Sequence, residues 1–150
     1  MSAHSFLVFI ATGCYSGFAR KFPGTFGTLA TIPLILLTEW LSVVGKFFVF
    51  IVLFVTGIIA SEYYEKYTGR EDPKEVVIDE IAAYYLTMIF LETTFWNVAV
   101  TFLLFRFFDI VKVYPANKAE MIEGGTGIML DDIVAAVYSI IGFFVLKGIL

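Results

Sequence analysis

Cysteine and histidine are almost missing from this sequence, with Cys14 and His4 the only ones among 150 residues. One cysteine excludes an intramolecular disulfide and any thiolate metal cage. His4 sits at the terminus with no neighbour in the pattern that makes it a metal ligand. Charge is also scarce, at 16% of residues, and no basic run with interleaved aromatics occurs. With a formal charge of -4 and a pI near 4.9, a nucleic-acid partner is excluded. No positive stretch precedes the short apolar segment 3–11, so a cleaved signal peptide is not expected. No internal repeat or low-complexity tract is present, and residues 1–150 read as one domain.

Apolar residues are what the chain has in excess. They make up 59% of it, with a mean hydropathy of +0.87, against about 45–50% in ordinary soluble domains. Five apolar stretches at 29–44, 47–64, 76–91, 95–113 and 128–146 predict helices. Each has roughly 16 to 19 residues, just short of the roughly 20 needed to cross about 30 Å of hydrocarbon. The expected fold is all-α, a polytopic membrane bundle of about five short transmembrane helices. An interfacial or re-entrant N-terminal segment at 5–12 precedes them.

Threading these spans alternately puts Arg20, Lys21, Lys66, Arg70, Lys74, Arg106, Lys112 and Lys118 on one side. Only Lys46 and Lys147 fall on the other. The basic excess marks the first side as cytoplasmic. Asp79, Glu80, Asp109, Asp131 and Asp132 fall on that side too, each within about two turns of a helix end.

Arg106, Asp109 and Lys112 follow an i, i+3, i+6 spacing that puts them along one helical face. In the adjacent pairs Asp79–Glu80 and Asp131–Asp132, one carboxylate enters a site while the other braces it. Five carboxylates at one depth repel one another unless a cation compensates them. Oxygen ligands without histidine or cysteine favour Mg²⁺, with Mn²⁺ or Ca²⁺ behind it. All five are candidate metal ligands.

Two glycine-rich stretches supply candidate anion cradles, because glycine permits positive φ and close backbone approach ahead of a helix start. One is Gly124, Gly125, Thr126 and Gly127. The other is the 23–28 stretch with Gly24, Thr25, Gly27 and Thr28, with Lys21 nearby. Together the pattern points to a site for a metal and a phosphate at the membrane surface.

The segments PGTFGT at 23–28, VIDEIAA at 77–83, FRFFDIVKVYP at 105–115 and GGTGIMLDDIVAA at 124–136 occur in this order. In sequence and spacing they resemble the motifs of the phosphatidylglycerophosphatase A family, and the resemblance covers residues 12–136. It implies a Mg²⁺-dependent enzyme of a bacterial-type inner (cytoplasmic) membrane. Such an enzyme removes the terminal phosphate of the anionic lipid phosphatidylglycerophosphate to give phosphatidylglycerol. By the resemblance the family's acidic pair falls on Asp79 and Glu80, and its arginine–aspartate–lysine helix on Arg106, Asp109 and Lys112. Its terminal pair falls on Asp131 and Asp132. Val113 and Tyr114 depart from a proline and an aromatic common in the family, and Ala136 from a frequent glycine.

Both lines give the same expectation. The carboxylates hold Mg²⁺, Arg106, Lys112 and Lys21 offset phosphate charge, and loop N–H groups with Thr25 assist. The nucleophile is either an activated water or a carboxylate. Simpler readings compete residue by residue: helix-dipole partners for the acidic pairs, a charge-neutralising pair of Asp109 with Arg106 or Lys112, and turn or packing glycines. Two other function classes place charges in short helices. One is a small transporter or ion-conducting protein, whose charges are spread through the membrane depth. The other is a membrane phosphotransferase acting on a nucleotide-activated lipid, with a tighter aspartate pattern.

Overall fold

A computed structural model describes residues 2–119 and 122–149, and every regular element among them is helical. Helix α1 (Ala3–Ala11) is capped by Ser2, whose hydroxyl accepts the Ser5 N–H at 3.2 Å. Its nine residues rise only about 13 Å, too little to span a bilayer. A 3₁₀ turn (Ser16–Phe18) leads into α2 (Pro23–Leu37), which opens on a proline. Ser42 caps α3 (Val43–Thr68), and Gly69 ends it with φ 66° in the left-handed conformation. Next come α4 (Ile78–Met88), α5 (Phe95–Val111), the short α6 (Ala116–Ala119) and α7 (Gly125–Ile149).

Helix α4 is the centre. Ten of its eleven residues are buried, and it packs against α2, α3, α5 and α7. Such a helix needs no polar face, which is why 81–91, beyond Asp79 and Glu80, carries no charged residue. Two apolar clusters flank it. One, around Tyr84, Met88, Phe105 and Phe143, fills the end away from Asp79. The other, around Ala60, Val77, Ile128 and Met129, lies under the acidic residues. Helices α3 and α7 cross closely. A Cβ on Gly57 would stand 2.7 Å from Met129 Cε, and one on Gly125 would overlap the Ile58 carbonyl.

Helices α3 and α7 are long and apolar enough to cross a membrane. Their outer faces, with Phe48, Ile59 and Ile141, expose large apolar side chains, as do Leu103 and Ile110 of α5. So wide an apolar surface suits lipid better than water.

Two boundaries differ from the sequence expectation in ways that matter. Residues 23–28, expected as a loop, form the first turns of α2. Pro23 presets the helical φ, and tight packing of Gly24 and Gly27 against α4 and its approach outweighs glycine's helix penalty of about 1 kcal/mol. Helix α7 begins at Gly125, three residues before the expected 128, so Asp131 and Asp132 lie in its second turn.

Candidate functional site

The starts of α2, α4 and α7 and the end of α5 meet at one end of the bundle and enclose a cleft of about 250 Å³. Asp79, Glu80, Arg106, Asp109, Lys112, Asp131 and Asp132 all line it. Local structure explains some of these placements. Asp79 and Glu80 fall in the first turn of α4, where the helix dipole favours carboxylates. Asp131 and Asp132 are too far into α7 for that explanation, because the dipole effect fades beyond the first turn. Lys112 ends α5 in the left-handed conformation, φ 47°, and its amine reaches across to α7.

The five candidate carboxylate ligands separate into three and two. Asp79, Glu80 and Asp132 each offer an oxygen such that all three lie within 4.8 Å of one another. Asp79 Oδ1, Glu80 Oε2 and Asp132 Oδ2 are buried with no hydrogen-bond partner among the described residues. Unpartnered carboxylate oxygens in a buried place are costly, and a bound cation removes that cost. This trio fits a metal ion, and its all-oxygen donor set belongs to the hard divalent cations.

Asp109 and Asp131 are engaged differently. Asp109 Oδ2 lies 2.5 Å from Arg106 Nη1, which is also 3.8 Å from Glu80 Oε1. Asp131 Oδ2 accepts from Lys112 Nζ at 2.8 Å, and its Oδ1 accepts the Asp132 N–H at 3.0 Å. The two aspartates thus hold the two cations against the trio. Arg106 Nε is buried and has no acceptor among the described residues, so the guanidinium keeps donor capacity for a ligand.

The glycine-rich stretches take different places. Gly24 lines the cleft, and a Cβ there would overlap Glu80 Oε1 and stand 3.1 Å from Arg106 Nη1, so the start of α2 seats directly on that pair. Gly27 packs on Val77, with 2.7 Å from an added Cβ to Val77 Cβ. Thr28 is buried and donates to the Gly24 carbonyl at 2.9 Å, which commits it to its own helix. Lys21 is exposed, and neither it nor Thr25 lines the cleft. Gly124, at φ 77°, and Gly127 line a second, larger cavity next door; Gly125 packs on α3, and Thr126 is exposed.

Two charged lining residues were absent from the sequence-based candidates. Asp72 and Lys74 come from the charged connection between α3 and α4, which reads as a solvated linker. No spacing rule ties them to the other motifs, since only the fold of that connection brings them to the cleft. Six carboxylates then face three cations, so a phosphate dianion is repelled unless further positive charge joins it.

The family profile of phosphatidylglycerophosphatase A matches residues 9–147. A Bacteroides thetaiotaomicron protein with the provisional name phosphatidylinositol-3-phosphatase is 39% identical over 150 residues, covering 94% of each chain. The phosphatidylglycerophosphatase A of Haemophilus influenzae is 34% identical over 142 residues, covering 92% of this chain and 86% of its own. That of Escherichia coli K12 is 35% identical over 132 residues, covering 87% of this chain and 77% of its own. No solved structure matches.

Proposed function

The chain belongs to the phosphatidylglycerophosphatase A family, and from that premise we propose that it is a Mg²⁺-dependent phosphatase forming one integral membrane domain. It hydrolyses the terminal phosphate of phosphatidylglycerophosphate to give phosphatidylglycerol. The observation that carries this reading is the trio of unpartnered buried carboxylate oxygens beside Arg106 and Lys112.

Asp79, Glu80 and Asp132 would hold the metal, which supplies positive charge to the phosphate and acidity to water. Arg106 and Lys112 bind the phosphate oxygens and offset charge that grows on them as the ester bond breaks. Asp109 and Asp131 fix the direction of these two cations, through the ion pairs described above. Hydrolysis adds water to phosphorus, breaks the bond to the glycerol oxygen and moves one proton to that oxygen. The carboxylates of the cleft are the groups in position to carry the proton. Gly24 leaves room for the Glu80–Arg106 pair and so acts through packing.

Helices α2, α3, α4, α5 and α7 run alternately between the cleft end and the opposite end, which supports a five-span arrangement. Helix α4, about 16 Å long, crosses inside protein and not against lipid. The basic residues concentrate at the cleft end, which supports a cytoplasmic active site. Gathering of the charges at one end of the bundle disfavours a transporter.

A second reading, in which a phosphorylated inositol lipid is the substrate, is favoured by the 39% identity to the Bacteroides protein. Purified protein given phosphatidylglycerophosphate, phosphatidylinositol 3-phosphate or phosphatidic acid, with and without Mg²⁺, decides. The expected result is Mg²⁺-dependent phosphate release, fastest from phosphatidylglycerophosphate. Faster release from the inositol lipid would transfer the reading to it, and no release from either would overturn both.

A further inference from the structure

Helix α2 and its N-cap Phe22 reverse the usual order of a helix. The buried face is small and partly polar, with Gly24, Gly27, Thr28 and Thr31. Phe22, Phe26, Leu29, Pro33 and Leu36 are exposed instead. Their spacing, i, i+4, i+7, i+11 and i+14, sets them in one stripe at about 3.6 residues per turn. From Phe26 to Leu36 the stripe runs about 15 Å, the hydrocarbon depth of one leaflet. Exposed apolar faces occur on α3, α5 and α7 as well, but this one begins at the cleft. Among the described residues that line the cleft, Phe22 is the one large apolar side chain left exposed, at 74%. It also holds φ 54°, a costly conformation for an aromatic residue. With so much of Phe22 in the open, packing within the chain does not offset that cost.

Arg20 and Lys21 immediately precede Phe22, both exposed and without an ion-pair partner among the described residues. The segment that carries them is fixed to the approach of α4. A Cβ on Gly17 would overlap the Glu75 carbonyl, one on Gly13 would overlap Ile81 Cδ1, and the Val77 N–H donates to the Ala11 carbonyl at 2.9 Å. The two cations are therefore held at the end of the apolar stripe, beside the mouth of the cleft. We propose that this face docks the diacyl end of the substrate lipid. Arg20 and Lys21 take its inner phosphodiester, Phe22 and Phe26 cover the first carbons of its chains, and the terminal phosphate enters the cleft past Phe22.

Charge and polarity together select the occupant. Two unpaired cations followed by an apolar stripe one leaflet deep complement an anionic phospholipid standing in its own leaflet. An acidic peptide would match the cations and leave the stripe uncovered. The other faces near the cleft lack this pairing. At the end of α5, Ile110 and Val111 are exposed but do not line the cleft, and Lys112 is already held by Asp131. The larger cavity beside the start of α7 sets six carboxylates against two cations, so it repels an anionic lipid. Entry past α2 thus brings the phosphate in from the side where the positive charge is not yet engaged.

This inference rests on the lipid-phosphatase reading for what enters the cleft, and a binding measurement keeps the two apart. Phosphatidylglycerol carries the inner diester and the chains but no terminal phosphate. In phosphatidylcholine nanodiscs, the fluorescence of Phe26→Trp should be quenched about twofold more by brominated-chain phosphatidylglycerol than by an equal fraction of brominated phosphatidylcholine. Adding Arg20→Gln and Lys21→Gln should abolish that preference. With phosphatidylglycerophosphate as substrate, KM should rise about tenfold in the Arg20→Gln, Lys21→Gln protein and about fivefold in Phe22→Ala. In both, kcat and the inhibition constant of inorganic phosphate should stay within about twofold of wild type. Leu103→Ala, on the exposed face of α5, should change none of these. Equal quenching by the two lipids, a preference that survives loss of both cations, or an unchanged KM overturns the docking face. A KM defect matched by equally weakened phosphate inhibition overturns it too, because the residues then act within the cleft. A phosphatidylglycerol preference in a protein that releases no phosphate overturns the phosphatase reading and leaves the face standing.

Discussion

The two ends of this bundle bury polar groups to opposite effect. At the end away from the cleft, Tyr84 donates to the Val98 carbonyl at 2.8 Å and Tyr85 donates to Thr38 Oγ1 at 2.8 Å. Thr101, fully buried, donates to the Asn97 carbonyl at 2.6 Å. Each of these hydroxyls has a partner; those of Tyr84 and Tyr85 tie two segments together, and that of Thr101 closes onto its own helix. At the cleft end, Asp79, Glu80 and Asp132 keep carboxylate oxygens with none among the described residues. Folding alone selects satisfied polar groups, since an unsatisfied one costs about 1–3 kcal/mol and a charged one more. An end of the molecule that retains three unsatisfied carboxylates is shaped for something that binds there.

The sharpest way to break this comparison is Asp132→Asn. If the trio serves a metal, phosphate release falls on the order of a thousandfold while the protein still inserts and folds. Stability supplies the independent readout. At a hundredfold excess over its dissociation constant, Mg²⁺ stabilises a protein that binds it only when folded by about 2.7 kcal/mol. Thermal unfolding in detergent should show that gain in wild type and lose most of it in Asp132→Asn. A variant that keeps both activity and the Mg²⁺ response would show that Asp132 holds nothing.

Tyr84→Phe should reverse the pattern. It removes a satisfied hydroxyl at the other end, so stability drops by about 1 kcal/mol while kcat and the Mg²⁺ response hold. Denaturant unfolding and phosphate release measured on one preparation test both halves. Lost activity with intact stability would deny that the two ends have separate duties.

How much of this was legible in the sequence follows from the same physics. Charges inside apolar helices cost so much that they stand out, so all seven charged candidates from 79 to 132 could be named, and all line one cleft. What could not be read was their division of labour. The spacing offered Asp109 a pair with Arg106 or Lys112, but Asp131 looks identical to Asp132 in sequence, and only the fold pairs it with Lys112. Glycine misled for a related reason. In 23–28 it signals a loop, but Gly24 and Gly27 stand in a helix because Glu80 and Val77 crowd them. That is a tertiary cause with no local signature. The all-helical class followed from the long apolar stretches, whereas the shortness of α4 depends on its burial by four neighbours.

Lys74 carries the smallest effect and the least expected one. It lines the cleft from the connection before α4, is exposed, and has no ion-pair partner among the described residues. Arg106 and Lys112, by contrast, are already held by carboxylates. An incoming phosphate therefore meets Lys74 as a cation not yet engaged, at the mouth and not at the reacting atoms. Its contribution falls in binding: an exposed ion pair adds up to about 1 kcal/mol, so Lys74→Gln should raise KM by up to about fivefold and leave kcat nearly unchanged. Salt should erase the difference between variant and wild type, because screening already weakens an exposed charge at about 0.15 M. Lys74→Arg should restore KM. A fall in kcat, or a KM defect that persists in high salt, would move Lys74 from the mouth of the cleft into its catalytic interior.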